Sequence, residues 1–377
     1  MKVLIVGDFC ENGRFRKIIN NNSFRNLLSC ISPIIKDADY SIANFEYPIG
    51  TRDASPITKC GPNLCGSPES INVFANAGFK CATLANNHIL DQGEKSALET
   101  QKLLENNNID TVGFGTDVND ASKILYKSIN GETLAIINCC EHEFSIASDT
   151  SAGANAIDPI SQYYAIREAS QKANYIVVVT HSGHEHFQLP SLRQQELFRF
   201  YIDAGADAVV NHHQHCYSGY EIYKNKPIFY GLGNFIFDRD DQRSSKWNEG
   251  FILILSLSKK IGFDIIPYVQ CDKLLDVCLM KEDEKASFYN TINELNSIIS
   301  NKRRLVDALA VYYQDSSFGE LRRFEPYKGR ILTSMFVRGL LPSLLKKDDL
   351  AFILNHIECE SHRDKLIFAL KERLKCD

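Results

Sequence analysis

The 377-residue chain has no apolar stretch approaching the ~20 residues of a membrane-spanning helix, so no membrane span is expected. It has little net charge, −5 over its whole length, which argues against a general nucleic-acid binder. Internal repeats and low-complexity segments are lacking, which sets aside solenoids, fibres and disordered linkers. Twelve cysteines are present, but at none of the spacings of a disulfide scaffold. Cys60 and Cys65 have no second pair at zinc-knuckle spacing and read as incidental thiols of a loop. Gly113-Phe114-Gly115 lacks the Lys and Ser/Thr of a phosphate loop and reads as a strand end. The opening Met1-Lys2-Val3-Leu4-Ile5-Val6-Gly7-Asp8 reads as a strand rather than a leader, and free thiols suit a reducing compartment. A cytoplasmic location is the expectation.

What is present is a globular composition, 44% hydrophobic and 24% charged, at a length that suits a large α/β domain with an appendage. Short β-branched runs predict strands at Lys2–Val6, Tyr40–Asn44, Cys81–Ala85 and Leu134–Asn138. Further strands are expected at Ile176–Thr180, Ala208–Asn211, Pro227–Tyr230 and Phe251–Leu257. Helices are expected between them at Pro68–Ala77, Gly93–Asn106, Ile160–Ala173 and Arg193–Ala204. Such alternation predicts a layered α/β fold. A hairpin turning at Lys224-Asn225-Lys226 makes part of the sheet antiparallel. Beyond Met280 the period becomes helical, with Phe288, Ile292, Leu295 and Ile299, then Leu350, Ile353, Leu354 and Ile357. Leu366, Ile367, Leu370 and Leu374 repeat the pattern. Residues 1–280 are therefore read as one domain and 281–377 as a helical appendage. The basic cluster Arg322, Arg323, Lys328 and Arg330 reads first as a solvated face.

The chemistry gathers at strand ends. Asp8 follows the first strand, Asn44 and Glu46 the second, and Asn86, Asn87, His88 and Asp91 the third. His181 and Glu185 follow a later strand, and His213 and His215 the next. Taken singly, Asp8 is an ordinary turn acid and Asn86-Asn87 an ordinary turn. On an extended segment residues two apart face the same way, so Asn44 with Glu46, and His213 with His215, can share a pocket while His212 faces away. Buried carboxylates among imidazoles need compensating charge. A divalent cation supplies it, and mixed Asp/Glu/His/Asn donors suit zinc, manganese or iron. Such ions bring bound water to a pKa of ~7, and a pair of them clamps attacking and leaving oxygens. His88 is placed to protonate a leaving group, with Asp91 three residues on to hold its tautomer.

The segments Gly7-Asp8, Asn44-Phe45-Glu46, Ala85 to Gly93, His181 to Glu185, Asn211 to His215 and Lys226 to Asp238 occur in order over residues 1–270. Together they resemble the CapA-type proteins of poly-γ-glutamate capsule synthesis, a branch of the calcineurin-like metallophosphatases. The resemblance implies a four-layer αββα sandwich of mixed sheets with two divalent ions at the strand ends. It implies Asp8, Glu46, Asn87, His181, His213 and His215 as metal ligands, His88 as catalytic acid, and a rim loop at Asn234. This chain departs from the pattern at Cys10, where the superfamily has His, and at Glu46, where it has Asp. Asn211 and Gln214 stand where the family has Gly and Pro.

The leading expectation is a metal-dependent hydrolase of a phosphoester, or of a phosphorylated or γ-glutamyl intermediate, in surface-polymer synthesis. Its substrate would be a small anion or polymer precursor. A second is a non-catalytic assembly component whose C-terminal helices dock to a capsule-synthesis protein. A third is a nucleotide phosphoesterase, with long nucleic acids poor partners for the acidic domain of residues 1–280.

Overall fold

The structure, a computed structural model, describes residues 1–19 and 27–374. Its strands begin with β1 (Lys2–Cys10), β2 (Tyr40–Phe45), β3 (Cys81–Thr83), β4 (Asp110–Val112) and β5 (Phe114–Gly115). Next come β6 (Leu125–Ile129), β7 (Glu132–Cys140), β8 (Gly153–Ala154), β9 (Tyr175–His181) and β10 (Ala208–His212). The last are β11 (Tyr220–Tyr223), β12 (Lys226–Phe229), β13 (Asn234–Phe237), β14 (Glu249–Ser256), β15 (Gly262–Gln270) and β16 (Val277–Leu279). The helices are α1 (Gly13–Ile19), α2 (Ser32–Asp37), α3 (Glu69–Ala77), α4 (Glu94–Asn106), α5 (Val118–Ala121) and α6 (Pro159–Lys172). They continue as α7 (Leu192–Ala204), α8 (Glu282–Ile299), α9 (Lys302–Arg322), α10 (Arg330–Val337), α11 (Lys347–Glu358) and α12 (Glu360–Leu374).

One sheet runs β16-β15-β14-β1-β2-β3-β4, with β13 paired to the far half of β1. The other runs β11-β12-β10-β9-β7-β6. Both are mixed. β1 to β4 are parallel, as are β7, β9, β10 and β12, whereas β14 to β16, β6 and β11 run antiparallel to their neighbours. The predicted hairpin is there, with Lys224 and Asn225 both at positive φ (49° and 63°) between β11 and β12. Two left-handed residues twist such a two-residue turn to match its strands.

The parallel strands are covered on both faces, which is why runs such as 175–179, Tyr-Ile-Val-Val-Val, are continuously apolar rather than alternating. The sheets face each other: Asn138 on β7 accepts the Ala85 N–H just beyond β3 at 2.8 Å. Outside the first sheet, Phe74 of α3 meets Phe9 and Phe45 edge-on at 5.2 and 5.6 Å. Outside the second, α6 and α7 bury Ile166, Ala169, Phe198 and Tyr201. This is the expected four-layer αββα sandwich.

Contacts divide the chain into two compact units, Met1–Val306 and Asp307–Asp377. The change of sequence pattern at 281 thus precedes the division by one helix. α8 belongs to the first unit, where its stripe Phe288, Ile292, Leu295 and Ile299 is buried and Phe288 packs on Tyr217 at 4.6 Å. In the second unit, Phe336 of α10 stacks on Phe318 of α9 at 5.8 Å. The stripes of α11 and α12 form on schedule but stay uncovered among the described residues: Leu350, Leu354, Ile357, Leu366, Ile367, Leu370 and Leu374 are all exposed. No helix among the described residues is long and apolar enough to cross a membrane.

Candidate metal centre

Parallel strands present their carboxyl ends at one edge, and here both sheets present theirs at the same edge. β1 delivers Asp8 through an irregularity, because its register with β2 shifts between Val6 and Asp8. Gly7 makes that possible. A Cβ there would lie 1.6 Å from the Gly233 carbonyl oxygen, so only glycine lets β1 and the chain before β13 approach so closely. The expected result for Gly7→Ala is a loss of about 3 kcal/mol in stability, read as a lowered Tm, with loss of bound metal. A variant that melts with the wild type and keeps its metal would contradict this account of Asp8.

β2 delivers Asn44 and, just past its end, Glu46. Asn44 Nδ2 donates to Asp8 Oδ1 at 2.8 Å and reaches Glu46 Oε2 at 3.5 Å and His181 Nδ1 at 3.2 Å. Asn86 holds Asn44 in turn, donating to Asn44 Oδ1 at 3.3 Å and to the Phe45 carbonyl at 3.0 Å. These two amides orient the acids.

Donor atoms then converge in two groups. Glu46, His181 and His213 form one, and Asp8, Glu46 and His215 the other, with ligand atoms in each within 4.8 Å of one another. His181 Nε2 lies 3.1 Å from Asn87 Oδ1, 3.1 Å from His213 Nδ1 and 3.6 Å from Glu46 Oε1. Donors held ~2.1 Å from one metal at right angles sit about 3 Å apart, so this spacing suits coordination. In the second group, His215 Nδ1 faces Asn234 Oδ1 at 2.9 Å, which turns Nε2 toward Glu46 Oε1 at 3.8 Å. A second partner of that kind fixes the ring of a ligating histidine. Glu46 is common to both groups, and its Oε1, which faces His181 Nε2 and His215 Nε2, is buried with no hydrogen bond among the described residues.

His213 and His215 do not arrive as expected. β10 ends at His212, and His213 and His215 take φ of +97° and +56°, so a left-handed turn rather than an extended strand aims them. His212, read from the sequence as turned away from that pocket with the core as one destination, is buried with Nδ1 3.6 Å from Asp8 Oδ1, and neither ring nitrogen has a hydrogen bond among the described residues. The rule of two does not apply because the strand ends at His212, before either candidate ligand.

His88 belongs to neither donor group. Its Nδ1 lies 2.5 Å from Asp91 Oδ2, its backbone N–H is held by Asn86 Oδ1 at 3.1 Å, and both side chains are buried. Glu185 stands at the exposed mouth, close enough for the charges of His215, His213, His186 and His88 to lower its carboxyl against the opposing effect of burial. Cys10 is buried, and burial with the nearby Glu46 charge keeps it a thiol. Cys60 and Cys65 are free thiols, as expected.

The electrostatics ask for a cation. Burial pushes the Glu46 carboxyl well above the usual carboxylate range, and Asp8 and Glu185 push it further. For Asp8 burial acts the same way, but the His215 hydrogen bond and the nearby His212 and His181 outweigh it and hold it low. Burial brings His213 down to about 4 and His181 well below its ordinary value, so both are neutral donors at neutral pH. His215 is raised: burial opposes, but Asp8 prevails. Six side chains of the right donor types thus fit divalent ions: Asp8, Glu46, Asn87, His181, His213 and His215.

The sign of the pH dependence follows. His181, His213 and Asp8 are already in their ligating forms, whereas Glu46 and His215 must give up protons. Manganese uptake is therefore expected to release protons and to tighten as pH rises. Calorimetric titration in buffers of different ionisation enthalpy measures the release. Uptake without proton release would contradict this charge arrangement.

The family described as bacterial capsule synthesis protein PGA_cap matches residues 2–239, which span every candidate ligand. The chain belongs to that family. Among curated relatives, the capsule biosynthesis protein CapA of Bacillus anthracis is 32% identical over 247 residues, 63% of this chain and 60% of that one. The PGA biosynthesis protein CapA of Bacillus subtilis is 32% identical over 237 residues, 62% of each. The match thus spans about three-fifths of either relative. Among solved structures, a phosphatase from Mycoplasma pneumoniae aligns with a TM-score of 0.46 at 15% identity, over 72% of this chain and 95% of that one.

Proposed function

We propose that this member of the family is a metal-dependent hydrolase acting on a phosphoester, or a phosphorylated or γ-glutamyl intermediate, in capsule or related surface-polymer synthesis. The observation that carries the reading is Glu46, a residue of both donor groups whose buried Oε1 has no hydrogen bond among the described residues. Such an atom is costly unless something charged meets it. Asp8, Glu46 and His215 would hold one divalent ion, and Glu46, Asn87, His181 and His213 the other. When bound, manganese, iron or zinc ions supply Lewis-acid polarisation and a water of lowered pKa.

The remaining work falls to the chain itself. Asn44 and Asn86 keep the acids aimed. His88, outside both groups and backed by Asp91, carries the proton that a departing oxygen needs. Protein loaded separately with each metal, offered phosphomonoesters, phosphodiesters, nucleotides and γ-glutamyl anilides, tests the reading. Turnover of one class names the substrate type, and a nucleotide preference would favour a nucleotide phosphoesterase. No turnover of any of them with metal bound would sink the hydrolase.

The uncovered stripes of α11 and α12 favour a second reading, an assembly component that docks through its C-terminal helices to a capsule-synthesis protein. Removing residues 307–377 discriminates: intact hydrolysis with capsule lost supports docking, and an unchanged capsule removes it.

A further inference from the structure

Lys59 stands out because lysine is almost never buried unless paired. Its side chain is 1% exposed, and its ammonium is ion-paired with Asp91 Oδ1, whose side chain is fully buried. The same nitrogen lies 3.0 Å from His88 Nδ1 and 5.3 Å from the centre of the Phe144 ring. Asp91 Oδ2 is occupied by His88 Nδ1 at 2.5 Å and by the Leu64 N–H at 2.6 Å. Asp91 Oδ1 has no hydrogen bond among the described residues, so Lys59 is what meets it.

The segment that carries Lys59 is strapped to the same place. It leaves and returns at a closed neck, where the Gly50 N–H donates to the Gly66 carbonyl at 2.9 Å. Between, Ser55 N–H reaches the Gln92 carbonyl at 3.1 Å and Ile57 N–H the Asp91 carbonyl at 3.3 Å. Gln92 Nε2 returns a bond to the Leu64 carbonyl at 2.9 Å. Both ends of the loop are thus tied to residues 91 and 92, and Lys59 is the charged group between those ties.

We infer that Lys59 is a positioning residue for His88: by fixing the second oxygen of Asp91 it stops that carboxylate rotating, and so holds the imidazole at one orientation toward the metal centre. A carboxylate held through one oxygen swings about its Cβ–Cγ bond, and a misaimed acid loses rate steeply. The inference rests on the reading of His88 as the proton donor.

The test compares full-length wild type, Lys59→Met, Lys59→Arg and His88→Ala, all manganese-loaded. Phenyl phosphate, whose leaving group needs a proton, is set against 4-nitrophenyl phosphate, whose leaving group needs one far less. Lys59→Met is expected to lower kcat on phenyl phosphate about tenfold or more, with KM and bound metal unchanged and a smaller loss on the nitrophenyl ester. Lys59→Arg restores most of the rate. If His88→Ala keeps wild-type kcat on phenyl phosphate, the proton-donor reading fails. If His88→Ala is impaired but Lys59→Met matches wild type, the Lys59 inference alone fails.

A second readout does not depend on turnover. In the zinc-loaded proteins, whose ion is diamagnetic, the low-field imidazole N–H proton of His88, assigned by its absence in His88→Ala, should shift or broaden in Lys59→Met and recover in Lys59→Arg. An unmoved resonance overturns the inference even for a protein without phosphoesterase activity. Lys59→Gln takes the place of the Met variant should that one fail to fold.

Discussion

Glu46→Gln is expected to cost the protein bound metal. The substitution keeps size and shape but removes the charge of the one residue that both donor groups share. An amide oxygen is a weaker donor and brings no charge to offset a second cation. Metal affinity should fall ~100-fold or more, and elemental analysis should find fewer ions per chain than in the wild type. Hydrolysis should drop on the order of 10³-fold, about 4 kcal/mol of barrier. Folding should survive, since burial already favours a neutral group at this position. Full metal content in the Gln variant would remove Glu46 from the centre and undo the shared-residue account.

His88→Ala separates the acid from the metal. The ring lies outside both donor groups, so metal content should match the wild type. Loss of a positioned acid costs 10²–10⁴-fold, about 3–5 kcal/mol, and the loss should grow as the leaving group becomes a poorer one. Asp91 keeps its Lys59 pair and the Leu64 N–H, so the variant should fold with only a modest drop in Tm. Metal lost together with activity would instead mean that His88 coordinates.

Much of this centre was legible in the chain. Asp8, Glu46, Asn87, His181, His213 and His215 each follow an apolar run, and such runs in an alternating α/β pattern bring strand ends to one edge. The buried stripe of α8 could be read from its period as well. Less was visible where the outcome depends on what lies opposite. The stripes of α8 and α11 look alike in sequence, yet only that of α8 is covered. Periodicity says that a helix has an apolar face but not what meets it. Lys59 left no trace either: an isolated lysine in a polar loop has no spacing to mark it, and its partner lies 32 residues away.

The sequence by itself determined the donor types and their order along the chain, because strand and helix periods are local and the candidate ligands sit where those periods break. Tertiary structure alone decided which residue two donor groups share, that a left-handed turn aims His213 and His215, and that Lys59 closes on Asp91. Those outcomes depend on atoms brought within a few ångströms from opposite sheets and loops. Burial then sets their charge states, and no stretch of neighbouring residues encodes that.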